Sequence, residues 1–184
     1  MIAYHCNYNA ILQAPFQTKK DTHHISAYSS IMKCLKSRGH SVDLQILNNE
    51  SSDDYRLVIE EEWQVNFQLF PPDVHCRNAA KRAIQTFKAR FIYVLAGVEP
   101  TFPKFLWDIL LDQTKLTLNL IHQATLYPSI SAWEYFNVPH SYNATQLGPL
   151  GCKVIIPNKP NTRKSWDFWA CDGFNIGPSF YHYR

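Results

Sequence analysis

The stretch that decides the fold is Arg77-Asn78-Ala79-Ala80-Lys81-Arg82-Ala83-Ile84-Gln85-Thr86-Phe87-Lys88. Apolar residues recur there every three or four positions and continue to residue 95, which predicts one amphipathic helix. Its predicted buried stripe consists of Ala80, Ala83, Ile84, Phe87, Phe91, Val94 and Leu95. The basic residues of the same helix stand at other positions and are Arg77, Lys81, Arg82, Lys88 and Arg90.

Segments whose sequence pattern predicts strands alternate with segments that predict helices before this helix. Residues 1–8 and 10–15 read as two strands around a turn at Asn9, and residues 42–47 and 65–70 read as two more. The strand at 42–47 alternates, with its apolar side chains on one face. A helix is predicted from Thr22, as its N-cap, to Gly39, and a short one from Ser51 or Ser52 to Glu62. Further helices are predicted at 103–125 and 129–136, so the pattern favours an α/β domain.

The composition changes after Asn137. Short β-type pieces at 152–156, 165–168 and 173–176 lie among prolines and glycines, which predicts a small β-rich module. The expected domains are therefore 1–137 and 138–184. The aromatic residues of the second domain are interpreted as the core of a small barrel, with stacking on nucleic-acid bases as the alternative. These residues are Trp166, Phe168, Trp169, Phe174, Phe180, Tyr181 and Tyr183.

Composition limits the classes of function. Charged residues make up 18% of the 184 residues, below the roughly 25% of typical soluble domains, which fits a piece of a larger protein. A net charge of +3 permits a nucleic-acid partner without requiring one. Five cysteines without a Cys-x-x-Cys pair indicate reduced thiols in an intracellular protein. We expect neither a metal site nor membrane contact, because no zinc-type spacing and no long apolar stretch is present.

Several stretches together resemble the integrase of copia-type long-terminal-repeat retrotransposon polyproteins. They lie at 8–12, 35–39, 46–50, 67–72, 75–88, 116–120 and 173–184, in the order of that family. The helix quoted above is the most specific of them. The resemblance implies an RNase H-like fold, a mixed sheet flanked by helices, whose first strand would lie upstream of Met1 and is absent here. The strands at 1–8 and 42–47 would then pair directly, leave a weakened seam, or take a strand from a partner.

The resemblance also implies a lost active site. Integrases hold two magnesium ions with three carboxylates, and the resemblance places the second at Asn48 and the third at Lys81, with the first upstream of Met1. These vestigial positions add positive charge where divalent cations would sit. Each unit charge at about 4 Å is worth roughly 4 kcal/mol at an effective dielectric near 20. We therefore expect no enzyme activity and no bound cofactor, although the family uses magnesium.

Three functions follow from this interpretation. The first is a degenerate integrase core with weak, nonspecific binding of DNA or RNA through Arg77, Lys81, Arg82 and Lys88. The second is a co-opted nucleic-acid-binding or interaction module. The third is a nuclease that uses Glu50, Asp53 or Asp54 as substitute carboxylates.

A solvated helix face is the alternative interpretation of the basic residues. The family acts as multimers, so a homo-oligomer and other parts of a retroelement polyprotein are further expected partners. The nucleus is one expected location inside the cell.

Overall fold

The computed structural model describes residues 1–18, 20–47, 51–70 and 79–179. Its elements confirm a mixed α/β chain. The strands are β1 (Ile2–His5), β2 (Ala10–Gln13), β3 (Leu44–Leu47), β4 (Asn66–Leu69), β5 (Lys153–Pro157) and β6 (Ala170–Phe174). The helices are α1 (Asp21–Ser37), α2 (Asp53–Leu57), α3 (Ala79–Ala96), α4 (Leu111–Ile121) and α5 (Ala132–Phe136). A π-helical turn, Val58–Glu62, extends α2, and a 3-10 helix, Lys104–Leu110, leads into α4.

The described strands form three separate two-stranded sheets instead of one mixed sheet. β1 and β2 make an antiparallel hairpin, β3 and β4 pair in parallel, and β5 and β6 make a second antiparallel hairpin. β1 and β3, the expected neighbours of the absent strand, do not pair with each other. Direct pairing, the first of the expected outcomes, is therefore wrong among the described residues, and the weakened seam and the partner strand stay predictions. The RNase H-like arrangement of a complete sheet stays a prediction.

The β1–β2 hairpin lies between two helical layers. Successive side chains of a strand point to opposite faces, so Ala10 joins a core with Ile31 and Leu35 of α1. Ile11 points the other way and packs with Phe87 of α3 and with α4. The hairpin is therefore the central layer that sets the distance between α1 and the pair α3–α4.

Asn119 of α4 is bonded to the outer edge of β2. The backbone N–H of Ile11 donates to Asn119 Oδ1 at 2.9 Å, and Asn119 Nδ2 donates to the carbonyl oxygen of Ile11 at 2.8 Å. Asn119 is 4% exposed and Ile11 is 1% exposed. A buried edge residue must satisfy both backbone groups, and here one amide side chain takes the place of a neighbouring strand.

The hairpin turn is held by Asn9, as the sequence predicts. Its φ of 54° is in the left-handed region, which asparagine adopts more readily than most residues. Its Oδ1 accepts from the Tyr4 hydroxyl at 2.9 Å, and its Nδ2 donates to the carbonyl of Gln123 at 3.0 Å. The turn is thereby tied to the segment that follows α4.

Helix α1 ends as predicted but begins earlier. Gly39, with φ 78°, donates its N–H to the carbonyl of Lys36, and the N–H of His40 donates to that of Leu35. This is the double C-terminal bond that a left-handed glycine permits. Thr22 is wrong as the N-cap, because the helix starts at Asp21 with Lys20 at the cap. Asp21 stands in the first turn, where the helix dipole favours a carboxylate.

The predicted buried face of β3 is wrong, and that of α3 is confirmed at Ala83 and Phe87 but wrong at two positions. Ile84 and Leu95 of α3 are exposed, because the helix buries a narrower stripe around Ala83 and Phe87 against the hairpin and α4. In β3, Leu44 and Ile46 are exposed while Leu47 is buried. The core covers the opposite face of this small sheet from the one that the apolar alternation indicates.

Three predicted boundaries also change. The predicted helix at 103–125 is 3-10 over its first part, and it ends at Ile121 because His122 turns to an extended ψ of 130°. Helix α5 begins only after Ser131, whose hydroxyl and Glu134 form a reciprocal capping box. Residues 165–168 are not a strand, since β6 begins at Ala170.

The second hairpin is attached to the end of α3. The rings of Phe102 and Phe174 meet edge to face at 5.3 Å, and Leu150 is buried in the same cluster. Gly151, with φ 68°, lies so close to Val98 that a Cβ would fall 2.6 Å from a methyl group. The expected domain boundary near 137 stays a prediction.

We expect Asn119→Leu to lower the free energy of unfolding by about 2–4 kcal/mol. The substitution leaves the buried backbone N–H and carbonyl oxygen of Ile11 without hydrogen-bond partners. Urea denaturation followed by circular dichroism measures this. Asn161→Ala, at an exposed turn, is the control and should change the free energy by less than about 0.5 kcal/mol. Equal midpoints for the two variants would contradict the role given to Asn119.

Candidate nucleic-acid interface

Helix α3 concentrates positive charge. Its residues 79–96 include Lys81, Arg82, Lys88 and Arg90 and contain neither Asp nor Glu. Lys81, Arg82 and Lys88 are exposed, as the sequence predicts for a solvent-facing basic surface. We call these three residues the basic face. Arg77, the fourth expected contact, lies outside the described residues.

The buried side of α3 determines the direction in which the basic face points. Ala83 and Phe87 pack against Ile11 of the hairpin, and burying a side chain such as Phe87 contributes roughly 1.5–3 kcal/mol. This packing leaves the opposite side of the helix in solvent. The hairpin and α4 thus decide which way the cations point.

The basic face is not a single row. Lys81 and Lys88 are seven residues apart and therefore lie on the same side of the helix, two turns from each other. Arg82 is turned by about 100° from Lys81. Arg90 is half-buried, and its Nε is enclosed without a hydrogen-bond partner among the described residues. The structure therefore brings together two of the expected contacts and sets Arg82 apart.

The positive charge of Arg82 affects the pKa of Tyr4 in β1. Burial raises the pKa of the Tyr4 hydroxyl, and the neighbouring Cys6 acts in the same direction, while the positive charge of Arg82 lowers that pKa. Tyr4 itself packs against the cluster that contains Ala83 and Phe87 of α3.

Lys81, which the resemblance places at a catalytic position, does not offer a ligand for a magnesium ion. Lys81 stands in the first turns of α3 as an ammonium group, which repels divalent cations and supplies no oxygen ligand. Asn48 and the substitute candidate Glu50 lie outside the described residues. Asp53, another substitute candidate, forms an ion pair with Arg56 at 3.1 Å. Across the residues that the structure describes, no group of three or more His, Cys, Asp or Glu could hold a metal.

A cavity of about 730 Å³ lies beside β2, and the sequence does not predict it. Its walls come from α1, α4, α5 and residues 137–145 and include Arg38, Asp112, Lys115 and His140. The Lys115 ammonium is paired with Asp112 at 3.1 Å. The Arg38 guanidinium donates to the Cys34 Sγ. The charged groups of the wall are therefore largely engaged with the protein itself.

The two most exposed aromatic rings among the described residues, Trp166 and Phe168, lie in the segment between β5 and β6, together with Trp169. Trp166 is 99% exposed, Phe168 88% and Trp169 78%. Their predicted place in the core of a small barrel is wrong, because the described part of this region is only a two-stranded hairpin. Phe174 is the member of the predicted group that packs inward. Phe180, Tyr181 and Tyr183 lie outside the described residues.

No family model, curated protein or solved structure matches this chain. Its candidate sites are interpreted from their own geometry and from the sequence motifs. Within the described residues, no helix is both long enough and apolar enough to cross a bilayer.

We expect no saturable binding of magnesium or manganese up to millimolar concentrations, because the position at which the resemblance implies a carboxylate ligand is the cation Lys81. Isothermal titration calorimetry and amide NMR shifts near residues 46–54 and 79–84 measure this. Micromolar binding that is lost in Asp53→Asn, but kept in the exposed control Asp108→Asn, would contradict the expectation. That result would bring back the nuclease function.

Proposed function

We propose that this chain is a catalytically inactive integrase-type core whose remaining activity is weak, sequence-independent binding of DNA or RNA. The observation that carries the proposal is α3, which has four basic residues, no acidic residue, and Lys81, Arg82 and Lys88 in solvent. The proposal places the protein inside the cell, with the nucleus as one location. Its partners include other copies of the chain and other parts of a retroelement polyprotein.

The chemistry of the basic face fits phosphate. Cations that neutralise phosphates release bound counterions, and this release supplies most of nonspecific nucleic-acid binding. Three exposed cations allow only a few phosphate contacts. The expected affinity is therefore low and falls steeply as salt is added.

The basic face does not select a base sequence. Lysine acts as a mobile point charge on phosphate, whereas reading bases requires side chains fixed against base edges in a groove. Lys81 and Lys88 are exposed, on a side of the helix that the core does not pack. We therefore infer that this face follows the backbone of the nucleic acid.

The integrase assignment is supported by the order of elements. An antiparallel hairpin, a helix, two parallel strands and then α3 follow each other as the resemblance implies. The catalytic part of the proposal is supported by Lys81, whose charge is opposite to that of the carboxylate expected there. Binding survives such a replacement because an added cation strengthens attraction to phosphate.

The test compares binding to a short labelled duplex by fluorescence anisotropy between about 0.05 and 0.2 M salt. We expect the double variant Lys81→Gln with Lys88→Gln to reduce the slope of log affinity against log salt by roughly 2, one for each lost phosphate contact. The affinity at low salt should fall by about tenfold for each charge.

The matched control is Lys33→Gln with Lys36→Gln on the exposed side of α1, which removes the same net charge. Its slope should equal that of the unmodified chain. An equal loss for both double variants would show attraction by net charge alone and contradict the assigned face. Absence of binding at low salt would remove the nucleic-acid function and favour a protein-interaction module.

A further inference from the structure

We propose that the segment between β5 and β6, residues 158–169, is a second contact site that takes unpaired nucleotides by stacking their bases on Trp166 and Phe168. We call this segment the aromatic loop. The inference rests on the proposed function, because it needs a nucleic-acid partner. It adds a different surface and a narrower ligand class, single-stranded DNA or RNA.

The aromatic loop has a defined shape. At its base, Asn158 donates its backbone N–H to the carbonyl of Trp169 at 2.9 Å and its Nδ2 to that of Phe168 at 2.9 Å. Near its tip, the Asp167 carboxylate accepts from the backbone N–H of Lys164 at 2.8 Å. The rings are thus held outward by bonds within the loop. Part of the ordering cost of binding is already met in the free protein.

Three aromatic side chains of one loop are left uncovered by the described residues. Each large aromatic side chain buries roughly 150–250 Å² in a core or interface, so leaving Trp166, Phe168 and Trp169 in solvent forgoes substantial apolar burial. Large exposed apolar side chains concentrated in one short loop favour an interaction site.

The charge around the rings fits a polyanion. Residues 153–172 contain the four cations Lys153, Lys159, Arg163 and Lys164 and the two carboxylates Asp167 and Asp172. Lys153 is engaged with Asp172 at 2.8 Å. The cations on the loop itself are therefore Lys159, Arg163 and Lys164, within a few residues of the rings.

One of these cations already lies against an aromatic ring. The Arg163 guanidinium carbon is 4.5 Å from the centroid of the Trp169 ring. Such stacking leaves the guanidinium edge to bind an oxygen anion, and guanidinium forks match phosphate geometry. Trp169 is thus a support for Arg163, while Trp166 and Phe168 are the rings available to bases.

Asp167 decides between nucleotides and a lipid surface. It stands between Trp166 and Phe168 in the sequence and is exposed. Inserting both rings into a bilayer would carry this carboxylate toward hydrocarbon, where an unpaired charge is costly. Stacking on bases uses only the ring faces and leaves the carboxylate in water.

The ligand must have free base faces. In a duplex every base face is covered by its neighbours, whereas an unpaired base can stack on an aromatic side chain. Such stacking changes affinity by roughly fivefold to a hundredfold for each base and tolerates any sequence. The loop therefore selects single strands without selecting a sequence.

The test measures the affinity of the full chain for oligothymidylate, oligouridylate and a duplex by fluorescence anisotropy. We expect Trp166→Ala with Phe168→Ala to weaken binding of both single strands by at least about tenfold and to leave duplex binding unchanged. Phe105→Ala with Tyr142→Ala is the matched control, since both rings are exposed elsewhere. It should leave all three affinities unchanged.

The outcomes separate this inference from the proposed function. Duplex binding that depends on Lys81 and Lys88, with single-strand binding equal in the loop variant and the control, overturns the loop alone. No binding of any nucleic acid overturns both. Binding of the loop to vesicles of phosphatidylcholine and phosphatidylserine, lost in Trp166→Ala with Phe168→Ala, without binding of oligonucleotides, overturns it in favour of a lipid surface.

Discussion

The paired hydrogen bonds between Asn119 and Ile11 are the constraint on which the placement of the other elements depends. They fix α4 to the edge of β2, and α3 then packs against both α4 and β1. The side of α3 left over is the one that carries Lys81 and Lys88. A single buried amide thus determines where the positive charge of the molecule is displayed. Asn119 and Ile11 can therefore orient Lys81 and Lys88 without touching them.

The distribution of charged residues among the helices says more about nucleic-acid binding than the net charge of +3. Helix α2 and the π-helical turn carry Asp53, Asp54, Glu60, Glu61 and Glu62. All charged residues of α3, in contrast, are cations. The two groups nearly cancel in the total but lie on different elements. A polyanion that meets α3 experiences a surface much more basic than the composition indicates. The aromatic loop adds a second basic region. It differs from α3 because exposed aromatic side chains lie close to its cations in the sequence.

The sequence predicts those features whose cause is local. Asn9 and Gly39 are found where expected, because left-handed backbone favours these residue types, and α3 follows from its own apolar period. The exposed face of β3 is predicted wrongly, since the local alternation of Leu44 and Ile46 indicates one face whereas the distant elements of the core cover the other. No local pattern predicts the role of Asn119, because its partner Ile11 is 108 positions away. The exposure of Trp166 and Phe168 could not be predicted, because aromatic side chains are more often buried than exposed.

The most direct test of the account is an amide NMR titration of the full chain with a short DNA duplex. We expect the shifts to cluster on the exposed side of α3, around Lys81, Arg82 and Lys88, and to spare the acidic segment Asp53–Glu62. Shifts at α3 should disappear when salt is raised. Shifts confined to α1, α2 or the cavity beside β2, with α3 unchanged, would contradict the claim that α3 is the nucleic-acid surface.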